Sequence, residues 1–114
     1  MRTWLADPRD MCQQHRLGEH VEAHMFVGSM CRGISFDGYY ENHLFFGPRV
    51  LWTRHELLAR TFESHQSSLI VPEGWPISLR YPDIPLTTEL IEESTFELIR
   101  RCFKCNQLYT RRHT

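Results

Sequence analysis

An all-α fold is what this sequence predicts, a single compact domain of about three helices with long irregular loops. Three observations lead there. Apolar residues recur at helical spacing in three segments. Residues 33–47 and 67–85 are rich in Gly, Pro and aromatics and read as loops. No run alternates apolar and polar side chains strongly enough to make a sheet. At 114 residues the chain fits one domain over 1–114, because single domains most often run to roughly 100–150 residues. The apolar share of 41% and charged share of 24% suit a globular protein.

The first helix is expected from about Asp10 to Met30, with Pro8 ending what precedes it and Asp10 as N-cap. At roughly 100° per residue, Leu17, Val21, Met25 and Gly28 gather on one side, and His15, Glu19, Glu22 and Phe26 on another. An amphipathic helix packs its apolar stripe inward, so the His15/Glu19/Glu22 stripe is expected to face solvent or a ligand. The second helix is expected from Pro48, a favoured first-turn residue, to about Ser64, with Leu51, Leu58 and Phe62 inward. The third is expected from Thr87 or Thr88 to about Cys105, with Ile91, Thr95, Leu98 and Cys102 inward. Its acids (Glu89, Glu92, Glu93) come early and its bases (Arg100, Arg101, Lys104) late, as the helix dipole favours. Residues 103–114 read as a basic and aromatic C-terminal tail.

The formal net charge of −1 does not mark a nucleic-acid binder, but the signs are segregated. Five acids and no base lie between Asp83 and Glu97, and five bases and no acid from Arg100 onward. No stretch nears the ~20 apolar residues of a membrane span. The opening MRTWLADPRD lacks the apolar run of a signal peptide. A cytoplasmic protein is therefore expected, its four cysteines reduced. Cys102-x-x-Cys105 could be half a zinc site with His113 as a third ligand. A structural site needs four ligands in two clusters, no partner cluster is evident, and so no metal is expected.

Twelve of the thirteen basic residues are arginine and only Lys104 is lysine. Arginine stays protonated, which leaves two amines able to act as nucleophiles, the Met1 α-amine and Lys104. An α-amine, with an ordinary pKa of about 7.7–8.0 against about 10.4 for lysine, is the better supplied with free base near neutrality.

The run MRTWLADPRDMCQQHRLGEHVEAHMF resembles the opening of the pyrimidine-dimer DNA glycosylase and abasic-site lyase family, dimer-specific endonucleases V of phages and bacteria. The likeness rests on Met1-Arg2, Trp4, Pro8, Cys12, His15, Leu17-Gly18-Glu19-His20, Glu22 and His24. A second block, NHLFFGPRVLWTRHELLARTFES, carries it through His43, Phe45, Phe46 and Arg54-His55-Glu56. The likeness is clear over residues 1–65 and faint beyond. It implies a cofactor-free DNA-repair enzyme, monomeric and cytoplasmic in a bacterium or phage host, acting on double-stranded DNA with damaged pyrimidines. Met1 would supply the amine that displaces the base through a Schiff base, and Glu22 the carboxylate of β-elimination. Arg2, Gln14, His15 and His43 would contact DNA. The family commonly has arginine where Val21 stands, and some members where Met25 stands, which implies weaker or relocated phosphate contacts. Two alternatives remain: a catalytically inactive DNA-binding protein on the same scaffold, and a metal-dependent hydrolase using His20 and His24.

Overall fold

The computed structural model describes residues 1–62 and 80–114. The second expected helix ends at Ala59, short of the expected Ser64, with Arg60 as its C-cap and Thr61 and Phe62 beyond it. The fold is all-α, with no strand among the described residues. A 3₁₀ turn at Pro8–Asp10 precedes α1 (Gln13–Cys31), α2 (Asp37–Glu41), α3 (Pro48–Ala59), α4 (Thr88–Arg101) and α5 (Phe103–Arg112). The short α2 lies inside the first stretch expected to be loop. No helix among the described residues is long and apolar enough to cross a membrane.

The first helix starts later than expected because Asp10 is engaged elsewhere. Asp7 caps the 3₁₀ turn by accepting from the Arg9 amide at 2.9 Å. The buried Asp10 carboxylate takes two bonds of 2.6 Å from Arg112, so Cys12 becomes the N-cap of α1. Within the segment read as a basic and aromatic C-terminal tail, residues 103–112 form α5, which packs on the 3₁₀ turn and buries Cys105. Arg112, and after it His113, hold the Asp10 carboxyl below its ordinary range. A carboxylate with a depressed folded pKa contributes stability above its unfolded pKa of about 3.9, lost as pH falls through the folded value. Asp10→Asn is therefore expected to lower the urea midpoint at pH 7 and to narrow its gap to the parent chain below about pH 3. A constant gap across that range would show that the pair does not set acid stability.

At the start of α3, Gly47 has φ +109, and a Cβ there would meet the Asp83 backbone at 2.6 Å. Glycine is required on both counts. The close approach lets Asp83 Oδ1 accept from the Arg49 amide (2.9 Å) and the Val50 amide (3.3 Å), capping a helix whose own N-cap has no side chain.

Two apolar clusters hold the helices. One joins Phe26 and Met30 of α1 to Phe36, Phe45, Leu51 and Tyr81. The other joins Trp4, Ala6, Met11 and Cys12 to Leu58, Leu98 and Cys105. The two faces of α1 are the reverse of those expected. Leu17, Val21 and Met25 are about half exposed, at 50%, 47% and 51%, while Glu19, Ala23, Phe26 and Met30 are buried. The reason is the partners: Ala23, Phe26 and Met30 enter the aromatic cluster, and Glu22 accepts from the backbone of the N-terminal segment, whose N–H groups need acceptors. Ile91, expected inward, is exposed, and the third helix breaks at Cys102 instead of running on to Cys105.

Candidate active site at the N-terminal segment

The backbone amides of Arg2, Thr3 and Leu5 are each tied down. Arg2 N–H donates to Glu22 Oε2 (3.2 Å), Thr3 N–H to the Leu44 carbonyl (2.7 Å), and Leu5 N–H to Ser94 Oγ (2.9 Å). The Trp4 amide bonds to the Glu19 carboxylate. Three elements therefore grip one short strip of backbone: α1 from one side, the 43–46 segment from another, and α4 from a third. The Met1 side chain packs against the first apolar cluster. Met1 is thereby held one peptide unit from the Glu22 carboxylate. Met1, Arg2 and Glu22, the residues the resemblance points to, lie close together.

Glu19, expected at the surface, is 3% exposed. Arg54 of α3 pairs with it through both oxygens, Nε–Oε2 2.8 Å and Nη2–Oε1 2.6 Å, and Arg54 Nη1 also reaches the Ala6 carbonyl at 2.7 Å. Burial pushes the Glu19 carboxyl above its ordinary range, opposed by the guanidinium and the Trp4 amide. The pair is the platform under the N-terminal strip.

Beside the strip lies a cleft of about 300 Å³ lined by Arg2, His43, Phe46, Glu93, Glu97 and Arg101, among others. The Arg2 guanidinium lies over the Trp4 ring, 3.6 Å from its centroid. Burial first, and then Arg101, lower its pKa. His43 is the one described non-glycine residue with positive φ (+56), a conformation that costs of order 1 kcal/mol. The Leu44 amide, bonded to the Tyr39 carbonyl at 2.8 Å, holds it there, and the imidazole stacks on Phe46 at 6.1 Å.

Gln14 is exposed in the first turn of α1. His15 is turned into the fold, contrary to its expected place at a DNA surface: Nδ1 lies 3.2 Å from Cys12 Sγ and 3.7 Å from Cys105 Sγ, beside the Trp4 ring. The Cys102/Cys105 pair, read as lacking a partner cluster, thus has one in Cys12 and His15. The His113 ring belongs to Asp10 (3.3 Å). Burial pushes the Cys105 thiol up to about 12.

His20 and His24 are joined by buried His55 of α3, whose Nε2 lies 3.0 Å from His24 Nε2 and whose ring stacks on His20 at 4.6 Å. One ring nitrogen from each lies within 4.8 Å of the others, a set able to hold a metal ion. Sequence reasoning missed His55 because nothing local to α3 links it to a pair on α1. A scan against models of known families, a search of curated proteins and a search of solved structures each find no match to the chain.

Proposed function

We propose that the chain, when it starts at Met1, is a DNA glycosylase with abasic-site lyase activity, acting on damaged pyrimidines in double-stranded DNA. The observation that carries this reading is the bond from the Arg2 peptide N–H to Glu22 Oε2 at 3.2 Å, which sets an acid beside the residue that follows Met1. The amine attacks the sugar C1′, an N–C1′ bond forms, and the bond to the base breaks with the base leaving protonated. Ring opening gives a Schiff base, an ordinary role for an amine nucleophile. Removal of a C2′ proton then expels the 3′ phosphate, and Glu22 is the group proposed to move these protons. A nucleotide must leave the stack to be reached. The cleft beside Arg2, with Phe46 and His43 stacked at its edge, is the pocket proposed to receive it. Val21 and Met25 cannot neutralise phosphate, so Arg2 and Arg101 are the cations proposed to do so.

The lysine-poor composition makes the test clean. Borohydride added during reaction with abasic duplex should trap a protein–DNA adduct, since reduction turns the Schiff base into a stable amine. The adduct should map to the N-terminal peptide, persist in Lys104→Arg, and vanish when the α-amine is methylated to the tertiary amine. An adduct on Lys104, or cleavage with no adduct, would overturn the mechanism.

A second reading, a metal-dependent hydrolase, is supported by His55 joining His20 and His24. The same trap separates the two, because a metal-activated water attacks without any covalent enzyme intermediate. DNA binding with neither adduct nor cleavage would leave a non-catalytic DNA-binding protein.

A further inference from the structure

We propose that Cys12, His15, Cys102 and Cys105 form a closed, tetrahedral structural zinc site that joins the start of α1 to the start of α5. Two pairs with the same spacing meet: Cys12-x-x-His15 and Cys102-x-x-Cys105. In each, the first residue is the N-cap of a helix and the second its third residue. One side-chain donor atom from each of the four residues lies within 4.8 Å of all the others. Cys12 Sγ to Cys102 Sγ is 3.9 Å, His15 Nδ1 to Cys12 Sγ 3.2 Å, and His15 Nδ1 to Cys105 Sγ 3.7 Å. A tetrahedron with Zn–S about 2.3 Å and Zn–N about 2.05 Å has S···S edges of about 3.8 Å and S···N edges of about 3.6 Å. These three distances lie within about 0.4 Å of those edges, and the remaining pairs of donors lie within 4.8 Å.

Three sulfurs and one imidazole select a soft or borderline ion over magnesium or calcium. All four positions are protein groups, and Cys12 and Cys105 are buried among Trp4, Met11, Leu58 and Leu98, so the site leaves no open position for a substrate. Three thiolates around Zn²⁺ carry one net negative charge. Two helix N-termini meet it, the Cys12 amide donates to Cys105 Sγ (3.2 Å), and the Cys105 amide to Cys102 Sγ (3.4 Å).

An independent oddity of the backbone points the same way. Residues 88–112 contain neither Pro nor Gly, yet helix stops at Cys102, whose φ −128 and ψ 113 are extended. Kinks and breaks ordinarily have Pro, Gly or an inserted group as cause. Here the break is what lets Cys102 cap α5 and turn both of its pair toward Cys12 and His15. A disulfide does not account for the arrangement, because Cys12 and Cys102 sulfurs at 3.9 Å are not bonded and a disulfide would use only two of the four donors.

The test uses the full chain and does not depend on DNA cleavage. Elemental analysis of protein purified without chelator should find about one zinc per chain, as a four-ligand site holds one ion. Cobalt substitution should give the thiolate charge-transfer and intense d–d bands of a tetrahedral site. His15→Cys should keep the metal and shift the cobalt spectrum toward four thiolates. His24→Ala should keep the zinc, which distinguishes this site from the histidine cluster, and chelation should lower the melting temperature. Folded, metal-free protein with four free thiols would overturn the proposal. So would a cysteine–cysteine disulfide among these residues, or zinc that survives in Cys102→Ser/Cys105→Ser but leaves in His24→Ala.

Discussion

Glu22→Gln is expected to keep the fold and the affinity for abasic DNA while lowering cleavage by roughly 10²–10⁴-fold, the usual worth of a positioned proton-transfer group. The reason lies in what the amide preserves. Glu22 is held against the N-terminal strip by the Arg2 amide (3.2 Å), and a glutamine carbonyl accepts that bond as well as a carboxylate does. The strip stays in place and only the exchangeable proton is lost. Glu22→Ala removes the acceptor as well, so it should also loosen the N-terminus. The two variants together separate chemistry from positioning. Single-turnover cleavage of an abasic duplex at saturating protein is the measurement. Cleavage by the glutamine variant at the parental rate would make Glu22 a structural acceptor and nothing more.

The largest expected effect on stability is at Arg54. Its guanidinium holds the two Glu19 oxygens and the Ala6 carbonyl, with the Glu19 and Arg54 side chains only 2% and 8% exposed. Removing one partner of a buried pair leaves the other charge uncompensated, at a cost of about 3–5 kcal/mol. That is a large part of the 5–15 kcal/mol typical of a whole domain. Arg54→Ala and Glu19→Ala are each expected to fall largely unfolded or to melt far below the parent. Arg54→Lys should rescue little, because an ammonium cannot reproduce a planar fork that bonds in three directions. Glu19→Leu/Arg54→Met should be much less destabilised than the sum of the single changes, since the double variant leaves no orphaned charge. Urea melts of the four chains measure this. Additive losses would show that the two side chains are not coupled.

The helical periods were legible where a helix meets an apolar partner. Leu51 and Leu58 of α3 and Leu98 of α4 are buried as the pattern predicts. The pattern misled on α1 because the stripe that carries Glu19 also carries Phe26 and Met30, and it packs on the aromatic cluster as well as on the N-terminal segment. Glu19 answers an arginine 35 residues away and the Trp4 amide. Nothing local in the sequence announces either partner. The grouping of Met1, Arg2 and Glu22 was legible through resemblance, and His43 falls at the cleft beside Arg2. The Cys12/His15 pair carries no metal signal by itself, because its complement lies about 90 residues further on. The break at Cys102 carries no Pro or Gly signal at all.

The N-terminal strip has a consequence for the order in which the molecule assembles. Its anchors sit at the far end of the chain: Leu5 to Ser94 spans 89 residues, Cys12 to Cys105 spans 93, and Asp10 to Arg112 spans 102. Such contacts must close nearly the longest loops the chain can make, and rates fall as mean contact separation rises. This helical protein should therefore fold more slowly than bundles whose neighbours in space are neighbours in sequence. At synthesis rates of about 5–20 residues per second, Met1 emerges many residues before α4 and α5 exist to receive the segment that follows it. Throughout that interval the α-amine is open to acetylating enzymes and aminopeptidases, either of which would remove the proposed nucleophile. Where the chain starts at Met1, the segment that carries the proposed nucleophile is made well before the helices that anchor it, and its chemistry stays exposed to modification until they arrive.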